Sequence, residues 1–106
     1  IYFAFDTSRL SSAAKSTLEQ NAMWLKGASS VDIQIEGHCD ERGGQQYNLA
    51  LGERRAKAVK SYLEALGVAT NRVSVISYGK ERPSTFGHDE QAWSKNRRAN
   101  FIVTAK

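Results

Sequence analysis

The stretch "VDIQIEGHCDERGGQQYNLALGERRAKAVKSYLEALG", from Val31 to Gly67, holds a strand pattern, a turn and a helix pattern in direct succession. Apolar and polar residues alternate in its first part, which predicts a strand from Val31 to His38 with one buried face. The letters "ERGG" predict a turn. A helical period then runs from about Tyr47 to Leu66 and ends at a glycine, a common helix terminator. A strand followed by a helix of this length is typical of a layered α/β protein.

The flanking sequence extends this unit to the order β-α-β-α-β-(α)-β. The further predicted elements are a strand over Ile1–Asp6, a helix over Leu10–Gly27, a strand over Arg72–Gly79, a short helix from Asp89 to Trp93 and a strand over Arg97–Ala105. We therefore predict a single α/β (α+β) sandwich domain over residues 1–106, with helices packed on one small mixed sheet. The first two crossovers are long enough to connect parallel strands, whereas the direction of the last strand stays open.

The amino-acid composition is typical of a globular domain that carries both acidic and basic residues. The 106 residues are 41% hydrophobic and 25% charged, with a net charge of +4. No apolar run is long enough for a transmembrane helix. Cys39 is the only cysteine, which excludes an internal disulfide. Five aromatic side chains are predicted to belong mainly to the core: Phe3, Trp24, Tyr62, Trp93 and Phe101.

An arginine lies on the apolar side of the second helix. At about 100° per residue, Arg55 falls on the same stripe as Leu51 and Val59, while Arg54 lies at the edge of the stripe. A core-facing guanidinium is costly unless it is paired or reaches an open pocket. The pattern leaves two interpretations. Arg55 is structural, either in an ion pair or with its side chain extending past the sheet edge to solvent, or its planar guanidinium donates to a ligand carboxylate.

Asp40 supplies the opposite charge close to the same place. It follows the end of the second predicted strand, and ligand sites of α/β sheets gather at the carboxyl ends of strands. Asn48 lies on the same helical stripe as Arg55, seven residues earlier. Asp40 could hold an ammonium group and Arg55 a carboxylate. A ligand that carries both groups close together is the end of a free amino acid. The alternative is that Asp40 only stabilises a turn.

Several motifs of this chain resemble a known family. The segments "IYFAFD", "GHCDERGGQQYNLALGERRAKAV", "SYGKERP", "GHDEQAW" and "NRRANF" closely resemble the OmpA-like C-terminal domain family of Gram-negative envelopes, nearly from end to end. The pattern "NLALGERRAKAV" and the later motifs favour its lipid-anchored branch. Porin tails and flagellar stator proteins of the same family are the alternative.

The resemblance implies an α/β sandwich that binds peptidoglycan without covalent attachment, through meso-diaminopimelate of the peptide stem. In that family pattern, Arg55 clamps the carboxylate, Asp40 holds the amine, and Asn48 with the backbone near Gly43 fixes the orientation. The full set of ligand-binding residues that it implies is Asp6, Asp40, Gly43, Asn48, Leu51, Arg55, Arg97 and Arg98. Which of the two last arginines touches ligand stays open.

The resemblance also implies partners and a location. The parent protein would be tethered to the periplasmic face of the outer membrane by an N-terminal lipidated cysteine, which is expected to lie outside these residues. It would contact the Tol system, chiefly TolB, with TolA as a further candidate. One departure lies beside the site: the family often has threonine where this chain has Cys39, and Gly44 also stands where threonine is common.

Three other kinds of site are weaker hypotheses. A cysteine hydrolase would use Cys39 with His38 or His88 as base, but neighbours on a strand point to opposite faces, which disfavours His38. The scattered His, Cys and acidic residues lack metal-ligand spacing. The aromatic "YFAF" segment could suggest a nucleic-acid surface, although such residues more often fill a core. We therefore predict no enzyme, no metal, no cofactor and no nucleic-acid partner.

Overall fold

The computed structural model describes residues 1–105, which form three α-helices and one three-stranded sheet. In chain order the elements are α1 (Ser12–Gly27), β1 (Asp32–His38), α2 (Gln45–Ala65), a 3₁₀ turn (Thr70–Arg72), β2 (Val73–Gly79), α3 (Glu90–Asn96) and β3 (Ala99–Ala105). The predicted helices and the three later strands are therefore confirmed to within a few residues. None of the described helices combines the length and apolar character that a membrane crossing requires.

The sheet is mixed, as predicted, with the strand order β2-β1-β3. Strands β1 and β2 pair in parallel, and β1 pairs with β3 in the antiparallel sense. The carboxyl ends of β1 and β2 and the amino end of β3 consequently meet at one edge of the sheet. The chain passes this edge at Asp40, Lys80 and Arg97, so charged residues that are distant in sequence come together there.

Helix α1 buries the face that its period predicts. Ser11 caps it by accepting a 3.0 Å hydrogen bond from the amide of Ala14, and Leu18 and Leu25 enter the core. They pack in one cluster with Ile35 of β1 and with residues of α2. The assignment of Trp24 to the core was wrong, because this side chain is 58% exposed. It lies about 120° around the helix from Leu18, a position that the same period could have revealed.

The predicted first strand is also wrong: only Tyr2 pairs, through a single antiparallel bridge to Arg98. Backbone bonds flank this bridge, with Phe3 N donating to Arg97 O at 2.8 Å. After this bridge, the backbone carbonyl oxygens accept hydrogen bonds from arginine side chains. Arg97 Nε donates to Phe3 O at 2.8 Å, and Arg55 takes the carbonyl of Ala4 at 3.1 Å. Carbonyls held in this way are satisfied without a strand ladder, so the segment turns away at Asp6.

Helix α2 lies unusually close to β1 because two glycines face each other. A Cβ atom built on Gly37 would lie 1.7 Å from the carbonyl oxygen of Gly52. Only hydrogen at both positions permits this approach. Since Arg55 is three residues beyond Gly52, the close packing brings its guanidinium to the end of β1.

Candidate ligand-binding site

An open cavity of about 270 Å³ lies at this edge of the sheet, between the end of β1 and the first turns of α2. We call it the primary cavity, and it is lined by Phe5, Asp6, Cys39, Asp40, Arg42, Gly43, Tyr47, Asn48, Leu51 and Arg55. Six of the eight predicted ligand-binding residues are among these: Asp6, Asp40, Gly43, Asn48, Leu51 and Arg55. The structure thus brings the predicted acid, amide and arginine to one concave surface.

Arg55 is the most unusual residue of the cavity, since its side chain is only 1% exposed. Its guanidinium donates to the carbonyl oxygens of Thr7 at 2.8 Å, His38 at 3.0 Å and Ala4 at 3.1 Å. No acid among residues 1–105 forms a salt bridge with it. Burial lowers the pKa of Arg55, yet an arginine remains charged in a protein. These bonds use three of its five N–H groups, and Arg55 also lines the open primary cavity.

Asp40 is also buried, but its charge is already compensated. Arg42 donates to it three times: from its backbone amide at 3.0 Å, from Nε at 3.3 Å and from one terminal nitrogen at 2.9 Å. Arg97 adds a contact at 3.4 Å. Burial by itself would raise the pKa of Asp40, but the hydrogen bonds from Arg42 and Arg97 outweigh it and hold the pKa below its usual value.

Arg42 itself is a site residue that the sequence did not single out. Its guanidinium lies 3.9 Å from the ring centre of Phe5 and 4.0 Å from that of Trp93, so two aromatic rings hold it by cation–π contacts. The side chain remains 30% exposed. A hydrogen bond from an aspartate to the residue two positions on is a common turn device. The letters "DER" could therefore have indicated the Asp40–Arg42 contact.

The two arginines that the sequence could not separate have different positions. Arg97 bonds Asp40 and, at 2.7 Å, Glu90, and so lies behind the primary cavity without lining it. Arg98 donates instead to the carbonyl of Arg82 at 3.0 Å, and it does not line the cavity either. Successive residues of an extended chain point in opposite directions, which explains the difference. Arg97 is the member of the pair that the structure joins to the site.

The loop between β1 and α2 is fixed by polar contacts. The side chain of Asn48 donates to the carbonyl of Arg42 at 2.9 Å, and Lys80 donates to that of Gly43 at 2.8 Å. Gly43 has a φ of 93°, which a glycine adopts without strain. Asp6 lies on the opposite rim and accepts a hydrogen bond from the hydroxyl of Tyr47. The loop is therefore held in place while the cavity stays open.

Cys39 does not have the surroundings of a nucleophile. It is 3% exposed, and its thiol donates to the carbonyl of Asn48 at 3.2 Å. Burial raises its pKa, which favours the unreactive thiol. The ring of His38 contacts Glu36 instead, and that of His88 contacts Glu41. Among residues 1–105, no three His, Cys, Asp or Glu side chains form a group that could hold a metal ion.

Comparison with known proteins gives the family of this chain. A model of the OmpA family matches residues 2–97. The peptidoglycan-associated lipoprotein of Pseudomonas aeruginosa is 53% identical over 100 residues, which cover 94% of this chain and 59% of that protein. The corresponding lipoprotein of Brucella melitensis is 48% identical over 103 residues, 97% of this chain and 61% of its own length. The chain thus spans about three fifths of these relatives.

Solved structures of other proteins have the same fold as this chain. The crystal structure of the peptidoglycan-associated lipoprotein from Burkholderia pseudomallei superposes with a TM-score of 0.95 at 42% identity, covering 98% of this chain and 88% of that one. The C-terminal domain of Helicobacter pylori MotB has a TM-score of 0.89 at 22% identity, covering all of this chain and 85% of that one, and so shares the fold. With the family model matching most of its length, this chain belongs to the OmpA family.

Proposed function

We propose that this domain binds peptidoglycan non-covalently, through the zwitterionic end of diaminopimelate in the peptide stem. It thereby links the outer membrane to the cell wall from the periplasmic side, as a domain of a lipid-anchored Tol–Pal protein. Relatives named peptidoglycan-associated lipoprotein, about half identical over most of this chain, support the proposal. The chain covers only part of those proteins, and the anchoring role belongs to the longer protein.

The observation that carries the proposal is the charge of Arg55. Burying a cation without an acid partner is costly, and the carbonyls that orient this guanidinium do not neutralise it. A carboxylate that entered the primary cavity would supply the missing charge and could accept two parallel hydrogen bonds. Binding an anion at this position therefore stabilises a group that the fold alone leaves uncompensated.

The ammonium of the ligand would bind on the acidic side of the cavity. Asp40 has four acceptor positions, and Arg42 and Arg97 already donate four hydrogen bonds to it. An ammonium at Asp40 must displace one of these donors, and Arg42, as the more exposed of the two arginines, is the group that would move. Asp6 on the rim offers a second, exposed carboxylate.

A second partner, TolB, is part of the proposal by family resemblance. The loop between β2 and α3 borders the site, and its Phe86 is 87% exposed, which suits a protein-contact surface. We expect peptidoglycan and TolB to compete for this region. A ternary complex in which both partners bind at full affinity would contradict that expectation.

The proposal is tested by co-sedimentation with purified sacculi whose stems carry either diaminopimelate or lysine, each at a low and a high salt concentration. Lysine lacks the side-chain carboxylate that Arg55 would hold, so binding to diaminopimelate sacculi should be stronger by about tenfold or more. The preference should persist at high salt, because the buried charges of Arg55 and Asp40 are screened less than charges on an exposed surface.

Two outcomes would contradict the proposal. Equal binding to both kinds of sacculi would leave no role for the zwitterionic end. Binding that disappears steeply with salt, as for proteins that bind phosphate backbones, would point to general attraction of a chain with a net charge of +4.

A further inference from the structure

A smaller cavity of about 150 Å³ adjoins the primary cavity across the β1–α2 loop. We call it the side cavity, and it is lined by Cys39, Glu41, Lys80, Pro83, Thr85, Phe86, Gly87, His88 and Asn96. Cys39 lines both cavities. Lys80 also connects them, because it lines the side cavity and bonds the carbonyl of Gly43, which lines the primary cavity.

The side cavity contains an ammonium without an acidic partner. Lys80 is half-buried, and its one hydrogen bond within residues 1–105 goes to the Gly43 carbonyl at 2.8 Å. No acid in that part of the chain forms a salt bridge with it. An ammonium has three donors, so two remain for a ligand.

Glu41, the acid that lines this cavity, is already engaged. Glu41 accepts a 2.7 Å hydrogen bond from the indole of Trp93 and a 2.6 Å contact from His88. These contacts are also the main causes that lower the pKa of Glu41. Within residues 1–105, the unused donors of the cavity are therefore those of Lys80, and Pro83 and Phe86 add an apolar wall. An ammonium beside an apolar wall suits a carboxylate on a short aliphatic group.

We propose that the side cavity is a second subsite for stem peptides that end at diaminopimelate, in which Lys80 binds the free main-chain carboxylate of that residue while its zwitterionic end occupies the primary cavity. This proposal rests on the proposed function. It gives a role to Lys80, which lies between the two cavities and forms no salt bridge within residues 1–105. The other charged residues that line the cavities are Asp6, Asp40, Glu41, Arg42 and Arg55.

The test uses two synthetic stem tripeptides that end in diaminopimelate and differ only in the main-chain carboxyl, which is free in one and amidated in the other. Both keep the same zwitterionic end. By isothermal titration calorimetry, the free acid should bind the wild-type domain about 3- to 10-fold more tightly than the amide. Lys80→Met should remove this difference by weakening the acid alone, and Lys80→Arg should retain it.

Lys57→Met is the matched control, since it removes one positive charge from the exposed face of α2 and should leave the difference intact. Equal affinity of acid and amide for the wild-type domain would overturn the subsite. So would a Lys80→Met variant that weakens both peptides alike, which would indicate only support of the loop through Gly43. If neither peptide binds the wild-type domain, the proposed function itself fails, and the subsite fails with it.

Discussion

Arg55 is a cation that the fold orients but does not neutralise. Its bonds to the carbonyls of Ala4, Thr7 and His38 fix the plane of the guanidinium, so little side-chain entropy remains to be lost when a ligand binds. The same bonds connect the N-terminal segment to α2. Arg55 consequently has a structural role besides the proposed contact with ligand, and a test of binding must separate the two.

Arg55→Lys makes that separation. The lysine keeps the charge but cannot supply planar, paired donors, and we expect binding to diaminopimelate sacculi to fall about tenfold or more. Arg54→Lys is the control, because this neighbouring arginine is exposed and lies outside the primary cavity. Co-sedimentation measures binding, and circular dichroism checks that both variants fold. Equal binding by the two folded variants would remove Arg55 from the site.

Arg42 should control the protonation of Asp40. Its hydrogen bonds are the main causes that lower the pKa of Asp40 against the opposing effect of burial. In Arg42→Gln the effect of burial remains while the hydrogen bonds and the charge of the Arg42 side chain are lost, so the pKa of Asp40 should rise.

Carboxyl ¹³C NMR titration of Asp40 measures this change. Arg82→Gln is the matched control, since that arginine stacks on Tyr78 and makes no bond to Asp40. An Asp40 pKa that is the same in wild type and Arg42→Gln would show that Arg97 and the backbone amide suffice.

At the scale of helices and strands, local patterns predicted most of the fold. The apolar periods of α1 and α2 and the alternation in β1 are properties of single segments, and the structure confirms all of these elements. The first strand failed because strand formation needs a partner, and the arginines that take the carbonyls of Phe3 and Ala4 come from residues 55 and 97. A window of six residues contains no information about them.

The contact between α2 and β1 depends on Gly52. A Cβ atom there would lie 2.3 Å from Ser77 Oγ and 3.0 Å from the carbonyl oxygen of Gly37. In a free helix alanine is favoured over glycine by about 1 kcal/mol, but here the clash should dominate and Gly52→Ala should lower the free energy of unfolding by about 1–3 kcal/mol.

Gly27→Ala is the control for this substitution, because a Cβ on Gly27 would meet nothing within 4 Å. Urea unfolding should show it close to wild type. A Gly52→Ala variant as stable as Gly27→Ala would mean that α2 can move away from the sheet at little cost, and the position of Arg55 would then not depend on this packing.

At the scale of the whole molecule, the site is an assembly of segments that are remote in sequence. Arg55 and Asp40 could be predicted, since one breaks a helical period and the other follows a strand. Phe5 could not be assigned a direction, because its segment forms no helix or strand whose period would fix where the side chain points. The choice between Arg97 and Arg98 likewise required the bridge between Tyr2 and Arg98, which joins residues at opposite ends of the sequence.

His38 and Asp40 are buried groups with lowered pKa values, and both should make the whole domain less stable as the pH falls. Burial is the main cause that lowers the pKa of His38 below 6.5. Arg98 and Arg82 lower it further, whereas the contact of the ring with the carboxylate of Glu36 opposes these effects. The unfolded chain therefore takes up the proton first, and stability should fall as the pH drops below 6.5. Asp40 has a lowered pKa as well, so the unfolded chain also protonates there first, and a second loss should follow as the pH falls through 3.8 and below.

Urea unfolding at about pH 7.5, 5.5 and 3 measures both steps, because the free energy of unfolding changes with pH wherever the two states bind different numbers of protons. In His38→Asn the loss between the first two pH values should become smaller and not disappear, because burial also lowers the pKa of the Ile1 amino terminus. The loss at the lowest pH should remain. The imidazole titration of the folded domain, followed by NMR, gives the sign independently. A His38 pKa above 6.5, or a domain that becomes more stable between the first two pH values, would mean that Glu36 outweighs burial and that the protonated ring is the form that the fold prefers.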